Sequence, residues 1–195
     1  MACARTLGPL FPDGLQAPTL ELPFAPGEEW ALTGGLHEDW NTGTPLGALD
    51  FAPITGESHC AVSRAWVTAS APGIVTRSEN GALQVALVDS AGNTTGWELL
   101  YMHVADQDRA AVGAHVSTND PIGHPSCEGG VATGSHVHLV RMYRGEWIGA
   151  GDPFPYILSG WLALPGEQPY QSSLVKGDQV VVALPGAGAN SIIVR

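Results

Sequence analysis

The sequence predicts a mainly β domain, because turn-forming residues interrupt a series of short apolar segments. Its 195 residues include 25 glycines and 15 prolines, and such density of turn formers is typical of all-β chains. Only residues 106–112 hint at a helical turn, and no repeat period stands out. The strand candidates are 48–52, 73–77, 83–88, 97–103, 135–142, 179–184 and 191–194.

The chain is long enough for one domain with a modest appendage. Residues 1–30 contain five prolines and are expected to form an extended arm. We expect the main domain to occupy residues 31–160. Residues 161–195 are expected to add strands to that same domain as a C-terminal extension.

The net charge limits the classes of partner. The chain contains eight Lys and Arg residues and 19 Asp and Glu residues, which gives a net charge of −11. Such a balance argues against nucleic acid and anionic lipid as partners. No apolar run approaches the roughly 20 residues of a membrane span. Met1 to Arg5 lack the apolar core of a signal peptide, so a leader is either absent from this chain or not used.

The three cysteines allow two interpretations. In an exported protein, Cys60 would pair with Cys127 and Cys3 would stay free. In the chain-entropy model, closing that loop contributes roughly 4 kcal/mol. Three reduced thiols are the alternative. A zinc–thiolate site is not expected, since no two cysteines are near neighbours.

Five side chains of the kind that bind zinc are spread over a hundred positions. A catalytic zinc usually takes three protein ligands and leaves one position for water, so five exceed its need and two remain to move protons. A strand over 135–142 places His136 and His138 on one face. Asp50 stands in an apolar strand candidate, where a buried carboxylate needs a polar partner. A metal ion is one such partner, although a backbone amide is the more common one. The five are His37, Asp50, His103, His136 and His138.

Several ordered segments resemble the lysostaphin/LytM-type zinc endopeptidases, the twenty-third metallopeptidase family, over about residues 34–158. The ordered set is more specific than any one segment, because a single His-x-His is common by chance. The resemblance implies an antiparallel β-sheet core of the duplicated hybrid motif type, with a peptide-binding groove. The segments are Gly35–His37, Leu49–Phe51, Ala71–Val75, Leu100–His103, Gly123–Ser126, Thr133–Leu139 and Asp152–Tyr156.

One departure concerns the first pair of ligands. His37 and Asp50 stand thirteen positions apart, further than in most of the family, and this spacing is similar to that of the staphylolysin-like subgroup. The loop between them would lie near the groove. Trp40 in that loop is a candidate substrate contact, with a loop anchor as the alternative.

The resemblance also implies a role for each residue. His37, Asp50 and His138 would bind one zinc ion per chain. His103 and His136 would flank the attacking water, one as base and one as oxyanion stabiliser, and the sequence does not decide between them. Tyr156 is a candidate substrate contact, with a packed core tyrosine as the alternative.

The function implied is a zinc-dependent endopeptidase that cuts cross-bridges or stem peptides of bacterial peptidoglycan. Such a protein would be a monomer, and it would be secreted, periplasmic or associated with the cell wall. The acidic charge favours a resident wall-remodelling enzyme over an aggressive lysin. Three alternatives stay open: a zinc-binding regulator without activity, a carboxypeptidase acting on D-Ala ends, and a metal-free β-rich interaction domain.

Overall fold

The computed structural model describes residues 11–38, 45–57, 59–151 and 153–195. These residues form fifteen strands, and a single turn of 3-10 helix at Ala189–Ser191 is the helical element among them. The strands are β1 Glu29–His37, β2 Ala48–Pro53, β3 Val67–Thr68, β4 Gly73–Glu79, β5 Ala82–Val88, β6 Thr94–Met102, β7 His115–Val116, β8 Pro121–Gly123, β9 Val137–Tyr143, β10 Glu146–Trp147, β11 Ile157–Leu158, β12 Trp161–Pro165, β13 Ser172–Lys176, β14 Gln179–Val182 and β15 Ile192–Val194.

One large sheet organises the molecule. Eight of its nine strands follow the order β15-β1-β2-β9-β6-β5-β4-β7, and β10 pairs with β9 outside that path. The strand pairs of the described ranges are antiparallel. The prediction of a mainly β, antiparallel fold is therefore confirmed.

The alternation of side chains along β9 separates the core from a second face. Val137, Leu139 and Tyr143 point into the main hydrophobic core, whereas Val140 and Met142 belong to a smaller cluster on the opposite face of the sheet. His138 shares that second face, because side chains two positions apart on a strand point the same way. The sheet thus offers one face to the core and the other to the candidate site.

The tail contributes to two sheets. Strands β11 to β14 form a separate four-stranded sheet, while β15 pairs with the outer edge of β1. The predicted tail strands 179–184 and 191–194 are present, but β12 and β13 had no counterpart in the sequence analysis. The boundaries at 30 and 160 stay predictions.

Two local predictions were incomplete. Residues 106–112 form turns and not a helix. Strand β1, which begins at Glu29, was not anticipated either. The preceding described residues, 11–28, contain several turns and the bridge between Leu20 and Leu158. Among the described residues, no helix is long and apolar enough to cross a membrane.

Candidate metal centre

Three neighbouring strands bring three of the predicted ligands together. His37 is the last residue of β1, Asp50 lies in β2, and His138 lies in β9 directly opposite Asp50. One ligand atom from each of these side chains falls within 4.8 Å of the other two. All three are buried or nearly so, and the side chain of His138 is 12% exposed.

The distances between these atoms suit a tetrahedral metal ion. His37 Nε2 lies 3.0 Å from His138 Nδ1, and Asp50 Oδ1 lies 3.0 Å from His138 Nδ1 and 3.6 Å from His37 Nε2. Ligand atoms at zinc–nitrogen and zinc–oxygen bond lengths around one tetrahedral ion lie about 3.3–3.5 Å apart. The three side chains therefore fit zinc in donor type and in spacing.

The backbone fixes which nitrogen of His37 faces the other two candidate ligands. His37 Nδ1 lies 2.7 Å from the carbonyl oxygen of Gly35. Because a carbonyl oxygen only accepts, Nδ1 carries the proton and Nε2 of the neutral ring keeps its lone pair. A metal ligand requires a free lone pair of this kind. Here it points into the space that His37 shares with His138 Nδ1 and Asp50 Oδ1.

The ionisation states agree with a cation site. Burial would raise the pKa of Asp50, but the hydrogen bond from His138 and the charges of the surrounding histidines hold that pKa well below its usual range. Burial lowers the pKa of His37, although the charge of Asp50 opposes the shift. The site thus combines an ionised carboxylate with a neutral imidazole near neutral pH, and metal ligands must be in those forms.

His103 and His136 stand beside the cluster as a pair. Their ring centroids are 4.4 Å apart, and His136 Nε2 lies 3.7 Å from Asp50 Oδ1. His103 follows the end of β6 with a φ of 61°, in a region that residues other than glycine seldom occupy. The side chain of His103 lines one groove together with the three candidate metal ligands.

Burial, followed by the charge of His136, lowers the pKa of His103 to about 4. The ring is therefore neutral over the whole neutral range of pH. A neutral imidazole beside the cluster is able to accept a proton.

The five side chains lie along a groove of about 510 Å³. Its apolar floor comes from the second face of the main sheet, where Met102 and Trp147 pack against buried Leu100 and Val140. One rim is a loop of small residues. The groove is lined by His37, Glu38, Asp50, Met102, His103, Gly129–Thr133, His136, His138, Trp147 and Tyr170.

Tyr170 is a site residue that the sequence analysis missed. Its ring stacks on His37 with the centroids 4.2 Å apart and the planes 15° from parallel. Backbone hydrogen bonds join Tyr170 to Gly35 and Leu36 at 2.9 and 3.0 Å. Tyr170 belongs to the tail, beyond the segments that carry the family resemblance, so no motif pointed to it. Burial and the charges of Asp50 and Glu38 raise its pKa, so the hydroxyl stays protonated.

The stacked ring gives a testable effect on zinc binding. We expect Tyr170→Ala to weaken zinc affinity by about two- to tenfold, because an aromatic pair contributes about 0.5–1.5 kcal/mol. Tyr170→Phe keeps the ring and should stay within about twofold of the parent. Competition with a chromophoric chelator measures both constants. Equal losses in the two variants would show that the hydroxyl, and not the ring, supports His37.

Of the two interpretations of Tyr156, the structure supports the packed core tyrosine. This side chain is fully buried, and its ring lies 4.8 Å from the guanidinium of Arg141. Arg141 points into the core from β9, on the face opposite His138, and donates to the carbonyl oxygens of Pro155 and Gly149. Tyr156 therefore packs in the core and does not reach the groove. Trp40 lies outside the described residues.

A disulfide joins Cys60 and Cys127, with 5.3 Å between their Cα atoms. Cys127 begins the segment that continues into the small-residue rim of the groove. Of the remaining histidines, His124 is buried beside Trp66, with ring centroids 3.9 Å apart. It stands apart from the metal cluster.

Known proteins resemble the chain in sequence and in fold, although no family model matches it. Protease LasA of Pseudomonas aeruginosa strain PAO1 is 26% identical over 139 residues, which are 66% of this chain and 30% of that protein. The same values hold for Protease LasA of strain UCBPP-PA14. A solved structure described as the M23 metalloprotease pseudoalterin from the deep sea superposes with a TM-score of 0.71 at 23% identity, covering 85% of this chain and 95% of that one.

These likenesses show the fold of the chain. The chain has the fold of the M23 metalloproteases, and the resemblance to lysostaphin/LytM-type peptidases is confirmed. It spans about 30% of the length of the curated relatives that it matches.

Proposed function

We propose that this protein is a zinc-dependent endopeptidase that hydrolyses peptide bonds in bacterial cell-wall peptidoglycan. The observation that carries the proposal is the convergence of His37, Asp50 and His138 on one point of a groove, with two further histidines beside them. A secreted, periplasmic or wall-associated location would follow from such a substrate.

In this proposal His37, Asp50 and His138 hold one zinc ion, which supplies Lewis acidity toward a water molecule and the scissile carbonyl group. The second pair of histidines acts on protons. Nδ1 of His103 donates to the carbonyl oxygen of Glu128 at 2.9 Å, and Nδ1 of His136 donates to that of Gly134 at 2.8 Å. In the neutral form, a ring held in this way directs an unprotonated Nε2 away from the backbone.

One Nε2 would accept the proton of the attacking water and later transfer it to the leaving amine. The other ring would take up a proton from solvent at its Nε2, and the resulting N–H group would stabilise the negative charge that develops on the carbonyl oxygen. The roles depend on which ring the substrate places nearer the water.

The shape of the groove supports a peptide substrate. An extended peptide can lie along the groove above the apolar floor of Met102 and Trp147. The rim residues Gly129 and Gly130 bring no side chain into the groove. The net charge of −11 offers no general attraction to an anionic wall, so recognition would depend on contacts within the groove.

The experiment that tests the function uses zinc-loaded protein and two peptidoglycans, one glycine-bridged and one directly cross-linked. New amine termini, identified by mass spectrometry at one peptide bond, are the expected products. A chelator should abolish them and added zinc should restore them. Zinc-loaded protein that releases nothing from either wall would overturn the proposal and favour a regulatory role.

A further inference from the structure

We propose that the disulfide between Cys60 and Cys127 is a positioning device for the two proton-transferring histidines, acting through the segment 127–135. This inference rests on the hydrolytic function proposed above. It assigns the disulfide a role in turnover that is separate from zinc binding and from the stability of the core.

The first observation is that both histidines depend on the same short segment for their orientation. His103 Nδ1 donates to the carbonyl oxygen of Glu128, and His136 Nδ1 donates to that of Gly134. These acceptors are main-chain atoms six residues apart, at the two ends of the groove rim. A shift of the segment would therefore disturb both rings at once, and the ring tautomers with them.

The second observation is that the segment has little regular structure of its own to hold its conformation. Between Glu128 and Gly134 the chain includes Gly129 and Gly130, both with positive φ, and Val131, whose side chain is 97% exposed. Few packed side chains restrain such a segment. Contacts at its ends therefore contribute strongly to its conformation, and at the first end Ser126 Oγ also accepts from the backbone nitrogen of Glu128 at 3.0 Å.

The third observation is that the same short stretch of chain holds both ends. Cys60 is bonded to Cys127, immediately before Glu128. At the other end, Ser135 follows Gly134, and its backbone nitrogen donates to the carbonyl oxygen of His59 at 2.5 Å, with the Ser135 hydroxyl 3.1 Å from that same oxygen. The hydroxyl of Ser135 also lies 2.5 Å from the carbonyl oxygen of Ala61. Residues 59–61 thus clamp the segment next to each histidine-binding carbonyl.

The metal cluster does not share this dependence. His37 donates to Gly35, and Asp50 and His138 are paired across β2 and β9. None of these contacts involves residues 59–61 or 127–135. Opening the disulfide should therefore lower turnover and leave the zinc ligands in place.

The test compares Cys60→Ser/Cys127→Ser with its parent, both carrying Cys3→Ser so that no other thiol remains. We expect zinc stoichiometry to stay at one per chain. We expect kcat to fall by about 10- to 100-fold, as when a partner that orients a functional histidine is removed. KM should change by less than about threefold, since the groove floor is untouched. Ser135→Ala, which keeps the disulfide, should lower kcat by about two- to fivefold.

A second readout needs no turnover. Nitrogen NMR of histidine-labelled protein should show His103 and His136 as the Nδ1–H tautomer in the parent and as a tautomer mixture in the variant, with His103→Ala and His136→Ala giving the assignments. Reduction of the folded parent by a phosphine should give the same mixture, and reoxidation should reverse it. This arm remains valid if the serine variant fails to fold.

Unchanged tautomers in the folded, disulfide-free protein would overturn the proposal. Loss of zinc together with turnover would overturn it as well, because the disulfide would then support the metal centre. If the parent hydrolyses neither wall, the proposed function fails, but the tautomers still decide whether the disulfide orients the rings.

Discussion

Replacing His103 by alanine is expected to leave zinc bound at one ion per chain and to lower kcat by about 10²- to 10⁴-fold, the range typical of a lost general acid or base. His103 lies outside the group of ligand atoms that converge within 4.8 Å, and its Nδ1 is engaged by Glu128. Metal analysis of the purified variant and product formation from peptidoglycan measure the two effects.

Asp50→Ala is the matched comparison for that variant. Asp50 contacts three histidines, at 3.0 Å for His138, 3.6 Å for His37 and 3.7 Å for His136. Its loss should remove stoichiometric zinc, and activity with it, because the remaining imidazoles have no anionic partner. Equal zinc loss in the His103 and Asp50 variants would contradict the division between ligands and proton-transferring residues.

The core of the candidate site was predictable from the sequence because residue types marked the candidates and the family resemblance named the ligand set. Asp50 in an apolar strand and His138 in a His-x-His segment are conspicuous by residue type. The structure pairs them directly across β2 and β9. The fold class was predictable as well, since turn formers and short apolar segments alternate along the chain.

The supporting residues could not be found in that way. Tyr170 reaches His37 only because the tail folds back along β1, where Ser172 Oγ accepts a hydrogen bond from the backbone nitrogen of Leu36 at 2.9 Å. Such a contact depends on tertiary packing between residues 136 positions apart in the chain, and no local pattern encodes it. The sequence left the role of Tyr156 open, since a motif position does not show whether a side chain points into the core or toward the groove.

The close approach of β1 and β2 at the metal centre gives the second large effect. Gly34 lies opposite Asp50 in the antiparallel pair, and a Cβ at that position would overlap the carboxylate of Asp50. Gly34→Ala should therefore displace Asp50 from the position in which it faces His138. We expect zinc affinity to fall by at least about tenfold, which corresponds to about 1.4 kcal/mol, as measured by chelator competition.

Gly56→Ala is the control, because a Cβ there meets nothing within 4 Å and the backbone has no positive φ. It should bind zinc within about twofold of the parent.

The displaced carboxylate also makes a second variant informative. Asp50→Ala removes the group that Gly34→Ala pushes aside, so adding Gly34→Ala to Asp50→Ala should weaken zinc binding little further, as expected for two changes that act through one interaction. Additive losses would mean that Gly34 supports the site through the β1 backbone and not through Asp50.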